Sequence, residues 1–446
     1  MKTKQLSVTM TEGNGVKQIF SFMLPLLIGN IFQQLYTLVD SIVVGQFVGA
    51  SALGSVGAVG SISSLLISVC IGLSGGMNVL IAQFCGAGKK QGVHKTISNS
   101  LYITLISGMI MSILGILFTK PILQMMQIPK ANYNDAFIYM QIICAGMVFN
   151  ALYNSISSIL RGLGDSKVPL YFILISSVAN VIFDILFVGI FHWNVAGAAW
   201  ATLIAQIFAA VISTWYAFQK NIYFQLQKED WKLDRMIIKK ICQMGIPLAA
   251  QNCFGSLSGV VTQSIVNSFG STVMASFTVC ERISQILMQP YGTLGSAIAV
   301  FSGQNIGAKQ YERIQTVIRK IFFYVEGFAL LLLLFLTWKG SWMIAFFVSD
   351  PAVSSIGRIA LIFLGLSYPA SGLIFIYKAM LNGCGDAFFT LLSGLVEVIG
   401  RILFILCLTK IPALGIWGIW ISSIPSALLS AGMCIYRYHQ KKWMQY

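Results

Sequence analysis

A chain of 446 residues that is 57% hydrophobic and only 10% charged, with a mean hydropathy of +0.79, has too little polar surface to face water on all sides. Its surface must meet lipid, which excludes a soluble enzyme. The formal net charge of +15, from 29 Lys and Arg against 14 Asp and Glu, could suggest nucleic acid, but membrane topology accounts for it and no nucleic-acid partner is expected.

In lipid, backbone polar groups must be satisfied internally, and long apolar runs without a two-residue alternation select helices over a β-barrel. Apolar segments run over 17–45, 52–83, 94–118, 134–160, 167–191, 195–219, 237–267, 273–304, 317–337, 354–380, 387–409 and 414–436. An all-α polytopic membrane protein of about twelve transmembrane helices is predicted. Several segments exceed the roughly 20 residues of a perpendicular span, so tilting or kinking is expected, with Pro25, Pro247, Pro290 and Pro369 placed to kink them. The first fifteen residues are polar and the first apolar run is too long for a signal-peptide core, so no cleavable targeting sequence is expected. Nine cysteines without a CxxC pair read as small buried hydrophobes, not as disulfides or metal ligands, and no cofactor is expected.

Positive charge is distributed unevenly. Taking alternate loops as cytoplasmic collects 21 of the 29 basic residues, including Lys2 and Lys4 near the start, Lys228 to Lys240 in the middle and Lys441 and Lys442 at the end. The opposite loops hold only Lys120, Lys130, Lys339, Arg358 and Lys410. Both termini are therefore expected in the cytoplasm of a protein of the cell inner (plasma) membrane.

Sliding the chain by about 221 positions superposes Gly86-Ala87 on Gly307-Ala308, Gly162-Leu163-Gly164-Asp165 on Gly383-Cys384-Gly385-Asp386, and Gly197 on Gly418. A slip of one residue pairs Pro25 with Pro247 and Asn30 with Asn252. Six helices per repeat give both halves one topology: parallel repeats over 1–218 and 241–446, joined by a basic linker at 219–240 whose KEDWKLDR core reads as an interfacial amphipathic segment. Alternating access by rocking two bundles is the expected mechanism.

Acids inside the membrane are the next signal, because a carboxylate in mid-helix costs about 2.5 to 3.5 kcal/mol and must be protonated, paired, cation-bound or near water. Asp40, Asp184, Glu281, Glu326 and Glu397 fall at or near membrane depth. Asp40 competes with a plainer role as a carboxylate snorkelling to the interface. Asn180 and Asp184, four residues apart, share one helix face and offer an amide and a carboxylate to a proton or Na⁺, or else bond neighbouring helices. Glu397 and Arg401, also four apart, are expected to form a structural intrahelical ion pair; Glu281 is expected to pair with Arg282, while Glu326 has no visible partner.

The stretches LPLLIGNIFQQLYTLVDSIVVGQFVGASALGSVG, IAQFCGAGKK, LRGLGDSKVP, ANVIFDILF, VAGAAWATLIAQ, GIPLAAQN, SGQNIGAK and LNGCGDA resemble those of multidrug and toxic compound extrusion (MATE) transporters, and the likeness runs along nearly the whole chain. The resemblance implies two six-helix bundles exporting small, often cationic or amphipathic, organic compounds in exchange for inward H⁺ or Na⁺. It implies a cation site at Asp40, Asn180, Asp184 and Thr202, and substrate-cavity positions at Gln33 and Asn154. Acids that one branch of the family carries on its seventh and tenth helices are missing from AAQNCFG and PASGLIF, so no second-half Na⁺ site is expected there. The partners expected are a small-molecule substrate and membrane lipid, for a protein acting as a monomer.

An ATP-driven pump is not expected, since there is no GxxxxGK[ST] stretch, GAGKK lacks the required spacing and no loop is long enough for a nucleotide domain; a channel lacks a visible selectivity filter. A membrane enzyme would need a nucleophile and a base, whereas His94, His192 and His439 all lie in or near loops. The rival is a flippase for a lipid-linked saccharide or other lipid of the same wider superfamily.

Overall fold

The computed structural model of the protein describes residues 9–126 and 128–445; Lys2 and Lys4 lie outside the described residues. In chain order the helices are α1 (Gly15–Phe47), α2 (Ala50–Gly86), α3 (Lys90–Met125), α4 (Lys130–Ala145), α5 (Met147–Gly162), α6 (Lys167–Asp184) and α7 (Asn194–Lys220). There follow α8 (Arg235–Asn267), α9 (Ser271–Leu287), α10 (Gln289–Gly307), α11 (Tyr311–Ala345), α12 (Pro351–Cys384), α13 (Ala387–Leu408), α14 (Gly418–Ile421) and α15 (Ser423–His439). All twelve expected segments are helical. Among the described residues nine helical stretches are long and apolar enough to cross a membrane, and α4 with α5, bent by 45° at Gly146, makes a tenth. The remaining two, over α8 and over α9 with α10, carry more polar side chains, among them Gln251, Asn252, Glu281 and Arg282. Pro290 sits just after the break between α9 and α10, whereas Pro25, Pro247 and Pro369 lie inside unbroken helices.

The repeat is visible in the backbone. Helices α8, α9, α11, α12 and α13 begin 220 or 221 residues after α1, α2, α3, α4 and α6. Left-handed backbone recurs at the same spacing: Gly49 and Gly270, Gly88 and Lys309, Gly164 and Gly385, Asn194 and Gly415 all have positive φ. Close helix approaches recur too. A Cβ on Gly162 would lie 2.8 Å from the Asn78 carbonyl oxygen, and one on Gly383 would lie 2.2 Å from that of Ala299. One on Gly197 meets the Phe187 carbonyl carbon at 3.1 Å, and one on Gly418 meets that of Leu408 at 2.7 Å.

The chain divides into two compact units, one built on Leu24–Ala249 and the other on Met10–Met23 with Ala250–Tyr446. In the first, the stretch expected to link the halves is packed down. Tyr102 donates from its hydroxyl to the Trp231 carbonyl at 3.1 Å, the Asp234 amide donates to Asn99 Oδ1 at 2.9 Å, and His94 Nδ1 lies 3.3 Å from Asp230 Oδ2. Within this stretch, residues Lys228–Trp231 form one 3₁₀ turn. The first half of α8 joins the same unit: Ile237 and Ile241 pack on Met77 and Leu80, and Gly72 and Gly76 of α2 approach Ala249 and Gly245 closely enough to exclude any side chain. The first unit therefore extends past residue 240 to Ala249, because a small-residue helix contact continues through that point. In the second unit the stretch before α1 is held in a similar way. The Met10 amide donates to Gln304 Oε1 at 2.7 Å, Asn305 Nδ2 donates to the Met10 carbonyl at 3.1 Å, and Arg313 Nη1 donates to the Gly13 carbonyl at 2.8 Å.

Two larger apolar clusters also lie in the first unit. One groups Val43, Val44, Tyr139, Met140, Val188 and Val195; the other groups Ile81, Ile97, Ile159, Leu160 and Phe172. Elsewhere large apolar side chains point outward, as Leu330, Leu331, Leu334, Trp338 and Trp342 do along α11. Such an outward apolar face needs lipid.

A buried carboxyl pair in the first unit

Asp40 lies seven residues before the end of α1, and Asp184 is the last α-helical residue of α6. Directly after Asp184 the helix loosens into a π-helical turn, Ile185–Ile190, closed by a bond from the Phe191 amide to the Leu186 carbonyl at 2.9 Å. Such wide turns recur at functional sites because they re-aim the side chains beside them. Gly197 makes room for this turn against α7.

The fold brings the Asp40 and Asp184 carboxyl groups close enough to interact electrostatically. Asp184 is fully buried and Asn180 is 2% exposed. Both Asp184 oxygens, Asp40 Oδ1, and both polar atoms of the Asn180 amide are buried without a protein hydrogen-bond partner. Two ionised carboxylates are acceptors only, so neither can satisfy the other until a cation stands between them. A proton between them would be a hydrogen bond; Na⁺ would find oxygens from both acids and from Asn180. Among the described residues no cluster of three or more His, Cys, Asp or Glu is arranged to hold a metal ion.

The other expected site residues lie on α7, α1 and α5. Thr202 is partly buried on α7, which packs against α6. Next to it, Leu203 packs where α4 gives way to α5 at Gly146. Gln33 is exposed on α1 and its side chain reaches Tyr36. Asn154 donates through Nδ2 to the carbonyl and the Oδ1 of Asn150, both at 2.9 Å, forming an amide pair on α5. Sequence reasoning missed Tyr36 and Tyr139, which flank the acids, and Ser177, whose buried hydroxyl meets no partner. Tyr36 stands four residues before Asp40 and Ser177 three before Asn180, spacings that share a helix face; Tyr139 comes from another helix and has no such local signal.

The acids of the second unit pair differently from expectation. Glu397 does not take Arg401: Lys378 Nζ of α12 lies 3.8 Å from Glu397 Oε2, and Ser430 donates to the same oxygen at 3.4 Å. Arg401 reaches Glu281 Oε1 of α9 at 3.3 Å, and this replaces the pairing of Glu281 with Arg282. Long side chains choose partners by the helices they face, and here both intrahelical options give way to cross-helix ones. Arg401 also occupies the position 221 residues after Asn180, and Ile405 the one after Asp184, so a guanidinium and an apolar group stand where the first half has an amide and a carboxyl group. A double-mutant cycle on Lys378→Met and Glu397→Leu should show each single variant less stable than the pair. Thermal unfolding in detergent checks it, and additive losses would mean that the two charges do not interact.

The MatE family profile matches residues 25–186 and 247–406, one copy in each half. The chain belongs to the MatE family. It is similar to the probable multidrug resistance protein YoeA of Bacillus subtilis, 28% identical over 95% of this chain and 93% of that one. It is also similar to the probable multidrug resistance protein NorM of Thermotoga maritima, 23% identical over 96% and 93% of the two chains. A solved MOP superfamily transporter from Pyrococcus furiosus superposes with a TM-score of 0.92 at 22% identity, covering 100% of both chains, which shows the same fold. This MatE protein is a multi-pass membrane transporter, and these relatives do not favour the flippase alternative.

Proposed function

We propose that this MatE protein is a secondary antiporter that exports small cationic or amphipathic organic compounds in exchange for inward H⁺ or Na⁺ by alternating access. The observation that carries the reading is the Asp40–Asp184 pair: two carboxyl groups facing each other inside a membrane unit, with Asp184 and Asn180 lacking any protein donor or acceptor. Such a site is satisfied only while a cation is present. Antiport follows if the cation-bound form binds substrate poorly, so that each ligand displaces the other through a shared conformational equilibrium. The multidrug names of the relatives support the substrate class. A fluorescent organic cation loaded into reconstituted vesicles should leave when a pH gradient or a Na⁺ gradient is imposed separately. Dye retention under both gradients would refute the coupling.

Orientation belongs to the same reading. The charge distribution supports an inner-membrane protein with both termini and the 219–240 stretch in the cytoplasm. A single cysteine introduced at Lys228, in a background without the native cysteines, should resist a membrane-impermeant thiol reagent in intact cells and react after lysis. Labelling from outside would reverse the topology.

A further inference from the structure

Glu326 stands near the middle of the 35-residue α11, in an otherwise apolar stretch. Its Oε1 is buried and meets no donor. Across from it on α10, Tyr291 is 1% exposed, and its hydroxyl is likewise buried without a partner. The two meet at a glycine: a Cβ on Gly372 of α12 would lie 3.2 Å from Tyr291 Cε1 and 3.7 Å from Glu326 Oε1. The missing side chain leaves the space in which the carboxyl group and the tyrosine ring approach. Tyr291 is also the third residue of α10, directly after the break between α9 and α10 beside Pro290. The rings of Phe328 and Phe375, 5.6 and 6.0 Å from the Tyr291 ring, keep the corner apolar.

An ionised carboxylate in such a corner needs a positive partner, and no Lys or Arg among the described residues forms an ion pair with Glu326. From α12 the titratable groups are Tyr368, whose hydroxyl donates to Ser284 at 3.3 Å, and Tyr377, both acids; from α10 there is Tyr291. From α9 come Cys280, Glu281, which is tied to Arg401, and Arg282, which is exposed. Of the two basic side chains of α12, Lys378 is paired with Glu397 and Arg358 is exposed near the start of the helix. One carboxyl group and one hydroxyl offer too few oxygens for a hard metal cation, so the ligand that fits is a proton.

We propose that Glu326, with Tyr291, forms a second proton-binding site, lying wholly within the second unit and independent of the Asp40–Asp184 pair. The site takes up a proton to give a neutral carboxylic acid hydrogen-bonded to the Tyr291 hydroxyl, and releases it when water reaches the broken span. It holds whether the first-unit site is served by H⁺ or by Na⁺.

The test is infrared difference spectroscopy of the full-length protein in lipid vesicles, titrated from alkaline to acid pH. Wild type should develop a protonated-carboxyl C=O band that is lost in E326Q and shifted in frequency in Y291F, while D184N retains it. Superimposable difference spectra of wild type and E326Q overturn the proposal. Should E326Q fail to fold, an unshifted band in Y291F does the same, and loss of this band in D184N overturns its independence from the first site.

Discussion

Replacing Asp184 by Asn is expected to cut gradient-driven efflux by about 5- to 150-fold, the range spanned by a coupling free energy of 1–3 kcal/mol. Asn is nearly isosteric with the protonated acid and cannot ionise, so the variant remains in the form that resembles cation-bound protein and cannot cycle. Stability should change little. The wild-type Asp184 oxygens are buried without donors, so removing the charge removes a desolvation cost without breaking a protein hydrogen bond. Asp40→Asn should behave alike if the two carboxyl groups act as the one cation site proposed above, since Asp40 interacts with Asp184. Glu397→Gln is the comparison, since it leaves Lys378 without its charge partner and should cost mainly stability. Transport is measured as dye efflux per amount of folded, vesicle-inserted protein. Wild-type efflux in both Asp variants, with coupling lost in Glu397→Gln, would move the chemistry to the second unit.

A large stability loss is expected at Gly383. A Cβ there would sit 2.2 Å from the Ala299 carbonyl oxygen and 2.9 Å from its Cα, atoms of the α10 backbone that no rotamer change can move. Gly383→Leu must push α12 and α10 apart, and overpacking of this kind costs about 1–3 kcal/mol, more where backbone shifts. The matched control is Gly255→Ala in α8, where a new Cβ meets nothing within 4 Å. There, Ala removes the entropic disadvantage of a helical glycine and should stabilise by about 0.5–1 kcal/mol. Midpoints of thermal unfolding in detergent separate the two. An unchanged midpoint in Gly383→Leu would mean that the α10 to α12 contact does not support the second unit.

Composition and periodicity determined what this chain had to be. A surface without enough polar groups demands lipid, lipid demands satisfied backbones, and twelve apolar runs then become helices. The repeat was legible because backbone-dictated residues recur at fixed spacing: Gly162 and Gly383 where helices touch, Gly164 and Gly385 where the chain must turn with positive φ. Asn180 and Asp184 were legible as neighbours because a four-residue step keeps two side chains on one helix face. Local spacing reaches no further than that. It could not show that the Asp40 and Asp184 carboxyl groups face each other, that Tyr139 stands beside them, or that α4 and α5 bend apart at Gly146 without a proline. Nor could it choose the partners of Glu397 and Arg401, which have one candidate each on their own helix and take Lys378 and Glu281 from others. Those choices depend on which helices pack together and at what depth, and packing follows from small-residue contacts distributed over the whole chain. The tertiary structure alone therefore decided where each charge finds its counterpart.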